Sequence, residues 1–348
     1  MGSNSAERKT IAISTELAVV VFLASAGIVT LVGARLAGEA DALADRTGLG
    51  EAVFGGVLLG ASTSLSGIVT SFTAASHGLA SLAVSNAVGG ISAQTTFLVI
   101  ADLLYRRVNL EHAAADANNM LMAAVLLLML SVPLAAAAAP PVAVMGVHPA
   151  SITLVAIYLF GARSSIGLRK QPMWRPEGTS DTRLDTPDDK SAYSRSSTRM
   201  IATFAVLSIV LAVCGFLIAR TAAVISHDLG LSQTLVGAVM TAVATSLPEL
   251  VTTLAAVRRG ALQLAIGGII GGNTFDVLFL SISDAAYREG SIYHAMTRPD
   301  SLMLVGSIMI TAVLLMGLIM RERRGIGFEG AAILTIYAGL LGVLVYMG

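Results

Sequence analysis

Ten apolar stretches recur along this chain, at roughly residues 13–37, 50–76, 79–105, 117–139, 142–163, 200–224, 230–257, 260–284, 300–320 and 326–347. Each approaches or exceeds the ~20 mostly apolar residues that a helix needs to cross a bilayer. With 55% hydrophobic residues, 13% charged residues and a mean hydropathy of +0.78, the chain is too apolar for an ordinary soluble protein. The expectation is an all-α polytopic membrane protein of ten transmembrane helices. The first run follows Arg8 and Lys9 as a signal peptide would, but it is longer than a signal peptide's apolar region and is read as a span.

The long polar connection, residues 164–199, carries Pro172, Pro176, Gly178, Pro187 and mixed charges, and reads as an unstructured linker. It divides the chain into residues 1–163, with five spans, and residues 200–348, with five more. Placing the linker in the cytoplasm puts most of the 22 Lys and Arg on that side and leaves Arg8, Lys9, Arg220, Arg288 and Arg298 on the other. The positive-inside rule then expects an integral protein of the plasma (inner) membrane with both termini outside the cytoplasm.

The two halves repeat one another. A shift of 182 residues aligns Gly55 with Gly237, Thr63-Ser64-Leu65 with Thr245-Ser246-Leu247, Gly89-Gly90 with Gly271-Gly272, Phe97 with Phe279 and Asp102 with Asp284. The repeated cores are residues 55–104 and 237–286. Five is an odd number of spans, so the halves are expected in opposite orientations, as in the inverted repeats of secondary transporters.

The most informative stretch is Thr241 to Asp284, where Glu249 and Asp276 fall inside consecutive spans. An ionisable group in hydrocarbon costs at least ~2.5 kcal/mol, so such residues mark ion or substrate paths. Pro248 has no N–H to give, and the residue before it is pushed from helical angles, which predicts a helix break over Ala244 to Glu249. The break would expose carbonyls beside Thr245, Ser246 and Glu249. In the next span Gly267, Gly268, Gly271 and Gly272 permit close approach or unwinding. Oxygen-rich and anionic surroundings suit a hard cation. Against this stand plainer roles: a protonated structural carboxyl at Glu249 or Asp276, and an interhelical hydrogen bond at Gln94. The five histidines lie in loops or near span ends and suggest no metal cluster. Cys214 excludes an internal disulfide, and neither HExxH nor GxSxG occurs, so an enzyme is not expected.

The segment ATSLPELVTTLAAVRRG, followed by LAIGGIIGGNTFDVL, resembles the second α-repeat of the sodium/calcium exchanger family of the cation/calcium antiporter superfamily. The family pattern there is G-T-S-L-P-E in one helix and G-N-x-x-G-S-N-x-F-[ND] in the next. The resemblance implies that Glu249 is a cation ligand and that Asp276, 27 positions on, is the ligand from the partner helix. It further implies roles for the backbone carbonyls of Ala242 and Thr245 and for the Ser246 hydroxyl. In the degenerate first repeat, Thr63, Ser64 and Gln94 would supply oxygens. Departures are Gly268 for Asn, Gly272 for Ser, and Ser66-Gly67 where the family has Pro-Glu, so the first half brings no carboxylate.

The implied function is secondary active antiport, calcium against sodium, by alternating access at a midplane site. The first and sixth spans would slide against the other eight. An altered-specificity or proton-coupled exchanger, or a non-transporting regulatory relative, remains open. The expected partners are the transported Ca2+ and Na+ and membrane lipid. No resident cofactor, nucleic acid or required protein partner is expected.

Overall fold

The computed structural model describes residues 13–47, 62–105, 116–144, 146–170, 197–259, 262–320 and 327–347. Residues 50–61 of the second expected span, the middle of the linker at 171–196, and the basic residues Arg106, Arg107, Arg321, Arg323 and Arg324 lie outside them. Among the described residues the chain is helical: α1 (Thr15–Thr47), α2 (Leu65–Ser76), α3 (Ala80–Tyr105), α4 (Ala117–Ala138), α5 (Pro149–Lys170) and α6 (Ser197–Asp228) form the first part. The second comprises α7 (Gln233–Leu235), a π-helical turn (Val236–Thr241), α8 (Ala242–Arg259), α9 (Leu262–Asp276), α10 (Leu278–Ala286), α11 (Arg298–Met320) and α12 (Gly327–Met347).

Eight helical segments among the described residues are long and apolar enough to cross a membrane. With α2 and α5 they account for the ten expected spans. The fifth begins later than its apolar run suggested. Pro140 and Pro141 end the preceding helical stretch, Gly146 turns at φ 81°, and Pro149 occupies the first helical position, where a missing N–H costs nothing. The helix then runs into the stretch expected as linker, to Lys170.

Two helices are much longer than a bilayer needs: α1 has 33 residues and α6 has 32, about 50 Å each at 1.5 Å per residue. They pack on one another. At the centre lies α3, 94% of whose span is buried against α2, α8, α9, α11 and α12.

The remaining contacts come in pairs that exchange the halves. α1 packs on α8 as α6 packs on α2, α4 on α9 as α11 on α3, and α4 on α5 as α11 on α12. The correspondence reaches single atoms. A Cβ added to Gly33 of α1 would stand 2.5 Å from Pro248 Cγ, and one added to Gly215 of α6 would stand 2.5 Å from the Ser66 carbonyl oxygen. Gly33 and Gly215 are 182 apart, as are Ser66 and Pro248. Each long helix is thus notched by a glycine where it meets the other half's α-repeat. Apolar lipid gives helices no hydrophobic reason to associate, so such close backbone approach is what packing in a membrane rests on.

Candidate cation site

The backbone around the site differs from the expected break. α8 continues as α-helix through Pro248, and the irregularity lies upstream as the π-helical turn. One extra residue in that turn re-phases the helix ahead of the proline, a device that recurs at functional sites. Threonine hydroxyls occupy carbonyls along the run: Thr241 Oγ1 donates to Gly237 O at 2.9 Å, Thr245 Oγ1 to Thr241 O at 2.9 Å, and Thr252 Oγ1 to Pro248 O at 3.0 Å. In the next span the glycine run stays helical, and the interruption falls at Val277, directly after Asp276. In the first half the interruption is at Ser64, with φ −83° and ψ 1°, before α2 begins.

These interruptions bring distant residues together. A small cavity is lined by Ser64, Gly67, Asn86, Gly90, Gln94, Thr245, Ser246, Glu249, Asp276 and Phe279. It has room for about one water-sized guest, and among the described residues no Lys or Arg lines it. Ser64 Oγ donates to Asp276 Oδ1 at 2.6 Å, and Gln94 Nε2 donates to Asp276 Oδ2 at 2.7 Å and to Ser246 Oγ at 3.2 Å. Gln94 and Asp276 are repeat mates, and so are Ser64 and Ser246. The four side chains therefore form a chain of hydrogen bonds that maps onto itself when the halves are exchanged.

The acceptors that this network leaves over carry the chemistry. Among the described residues, no donor reaches either carboxylate oxygen of Glu249 or the Oε1 of Gln94, all of them buried, in good hydrogen-bond geometry. The Thr63 and Ser64 hydroxyls lie beside the Glu249 carboxylate outside good hydrogen-bond geometry, and the single Ser64 proton is committed to Asp276. Buried polar oxygens are ordinarily paired, and a buried charge without a partner is costly. Two carboxyl groups and an amide oxygen around one small space are a set that a cation or protons would complete. Among the described residues no group of three or more His, Cys, Asp or Glu side chains gathers, so the donor set is oxygen, mixed and hard.

Of the residues singled out from sequence, Ser64, Gln94, Thr245, Ser246, Glu249 and Asp276 line the cavity. Thr63 is buried at its edge. Ala242 stands outside it: its carbonyl is approached by Thr245 Oγ1 at 3.4 Å, and its methyl faces Gly89. Asn86 ties the halves, donating to Gly67 O at 3.2 Å and to Ser71 Oγ at 2.9 Å, with Thr245 Oγ1 at 3.5 Å from its Oδ1. Gly268, where the family has Asn, faces open space. Sequence reasoning missed Phe279 and Gly90 as lining residues. It also missed Asn273, which donates to Thr95 Oγ1 at 2.9 Å and keeps a buried, unpaired Oδ1.

Other buried acids have structural partners. Asp284 accepts from the backbone N–H groups of His148 and Ile292 and from Ser151 Oγ, tying α10 to the start of α5. Asp300 accepts from Ser81, Thr234 and Thr297, joining the ends of α3, α7 and α11. Beside Asp284, burial pushes the Tyr293 hydroxyl above its ordinary range, which keeps it protonated and bonded to Ser151. The loops also bring the rings of His148 and His294 to 5.5 Å, a proximity that sequence did not suggest.

Over 124 residues the chain is 33% identical to the putative antiporter CaxA of Alkalimonas amylolytica, covering 35% of this chain and 38% of that protein. It spans between 33% and 38% of the length of the curated relatives it matches. Its fold is similar to that of the H+/Ca2+ exchanger CAX, with a TM-score of 0.68 at 12% identity over 95% of this chain and 86% of the other. The corresponding figures for the sodium-calcium exchanger NCX_Mj are 0.57, 18%, 94% and 99%. The family pattern described as sodium/calcium exchanger protein matches residues 17–162 and 199–346, both halves of the chain, and the chain belongs to that family.

Proposed function

We propose that the protein is a secondary active antiporter that moves calcium against sodium by alternating access to the Glu249–Asp276 cavity. The observation that carries this reading is the set of three buried acceptors without donors, Glu249 Oε1, Glu249 Oε2 and Gln94 Oε1, in a cavity that also holds Asp276. Two carboxylates match the charge of a divalent cation, and calcium tolerates the irregular, one-sided oxygen arrangement better than magnesium does. The ligands come from both halves, so the site lies where two inverted five-span units meet. Exchange follows because the ions compete for the same carboxylates. The long helices α1 and α6, notched at Gly33 and Gly215, are the elements expected to slide. The distribution of Lys and Arg supports termini outside the cytoplasm.

A second reading, protons as the counter-ion, is favoured by the size of the cavity. Protons neutralise both carboxyl groups without needing room.

Calcium-45 uptake into sealed proteoliposomes tests both. An outward sodium gradient or an outward proton gradient is imposed, with wild type and Glu249→Gln side by side. Uptake driven by sodium and lost in the variant supports the first reading, and uptake driven only by the proton gradient supports the second. No uptake under either gradient by folded protein ends the calcium antiporter reading.

A further inference from the structure

The two halves are inequivalent at one corner of the cavity. Gly67 is the repeat mate of Glu249 and offers no side chain to an ion. A Cβ at Gly67 would stand 2.8 Å from Cε2 and 3.3 Å from Cζ of Phe279, and 3.7 Å from Thr245 Oγ1. Side-chain atoms in contact normally keep about 3.5–4.0 Å between carbons. The Phe279 ring therefore occupies the direction in which any longer side chain at position 67 would grow.

The ring is held there. Phe279 is 3% exposed. Phe275 packs edge-on against it, centroids 6.3 Å apart and planes at 84°, and Tyr158 packs against Phe275 at 5.8 Å and 71°. Swinging this ring aside to admit a wider guest would break up that packing.

We propose that Phe279 is a specificity-determining residue, whose ring, seated on Gly67, closes one corner of the cavity and limits it to a single small dehydrated cation at a time. This rests on the proposed cation antiport and adds the size and number of the ions admitted. The charged wall of Glu249 and Asp276 attracts and holds the ion, while the carbon wall of Phe279 neither ligates nor yields. Calcium is then favoured over barium, and sodium ions compete with calcium singly rather than as a jointly bound group.

The experiment uses purified full-length protein and calcium-45 binding competed by unlabelled Ca2+, Ba2+ and Na+, comparing wild type with Phe279→Ala and Phe279→Leu. Wild type is expected to prefer calcium to barium and to show a sodium competition curve with a Hill slope of about 1, since the slope is bounded by the number of sites filled together. Phe279→Ala should lower the calcium-to-barium preference by about tenfold, within the range that one lost steric contact discriminates, and steepen the sodium curve. Phe279→Leu, which keeps bulk at the corner and guards against a fold lost in the alanine variant, should change the preference less. An unchanged preference in Phe279→Ala, or a steep sodium curve in wild type, overturns the proposal.

Thermal melting without ions reads the steric corner separately. Gly67→Ala should destabilise the wild type but not the Phe279→Ala protein, and equal effects in both overturn the proposal. If wild type binds no cation while that melting coupling is present, the antiport reading has failed, and the selectivity role with it, although the ring does fill the corner.

Discussion

Replacing Gly33 by alanine would test the notch between α1 and α8 most directly. The new Cβ would lie 2.5 Å from Pro248 Cγ and 2.8 Å from Pro248 Cβ. Carbon–carbon contact needs about 3.5–4.0 Å, so something must move by about 1 Å. The proline ring is closed onto its own backbone and cannot rotate away, which leaves α1 to back off or α8 to shift. Overpacking of this kind costs about 1–3 kcal/mol. The displacement also reaches the neighbouring Glu249, and a misplacement of about 1 Å at a reacting group can cost about a hundredfold in rate.

Gly27→Ala is the control. It lies on the same helix, and its Cβ would meet nothing within 4 Å. It should be neutral, or stabilising by up to about 1 kcal/mol through helix propensity alone. The assay pairs the melting temperature in detergent with the initial rate of calcium-45 exchange in proteoliposomes. Gly33→Ala should melt lower than Gly27→Ala and lose most of its exchange rate. If the two variants melt and transport alike, the close approach of α1 to Pro248 is not a constraint, and the reasoning from the notch fails.

Other expectations concern the network. Glu249→Gln replaces a buried carboxyl whose oxygens lack well-placed donors, so in cation-free buffer it should melt at or above the wild-type temperature while losing all stabilisation by calcium; a lower melting point would mean that the carboxyl is held by its neighbours after all. Ser64→Ala takes away a 2.6 Å donor to a carboxylate and should cost about 1.5–3 kcal/mol in denaturation. Ser246→Ala removes only a 3.2 Å contact with an amide and should cost less, so equal losses would contradict the assigned donors. Asp284→Asn weakens the acceptor shared by His148, Ser151 and Ile292. It should lower the melting temperature yet leave the order of cation affinities intact in binding competition, and a changed order would give Asp284 a part in the site.

Much of the site was legible because it is written in local signals. Glu249 and Asp276 stand out as charges in apolar runs, and the 182-residue register pairs Gln94 with Asp276 before any helix is placed. The position of the helix irregularity was not legible. Pro248 predicts a break at its own turn, but α8 runs on through it and the irregularity is a π-helical turn upstream, where the chain packs on α3. The glycines at 267–272 likewise signalled unwinding, yet they remain helical, with Gly267 facing Asn119 Oδ1, and the chain opens only at Val277, directly after Asp276.

What the sequence determined by itself was the number and order of apolar spans, the repeat, and the two carboxylates, because hydropathy and charge act residue by residue along a helix whose backbone must pair internally. Only the tertiary structure decided which oxygens of Ser64, Gln94, Ser246 and Asp276 satisfy one another and which of Glu249 and Gln94 are left for an ion. It alone put the Phe279 ring on Gly67. Those outcomes depend on distances between helices hundreds of residues apart in the chain, set by glycine notches and side-chain packing in a medium that gives no hydrophobic reason to associate.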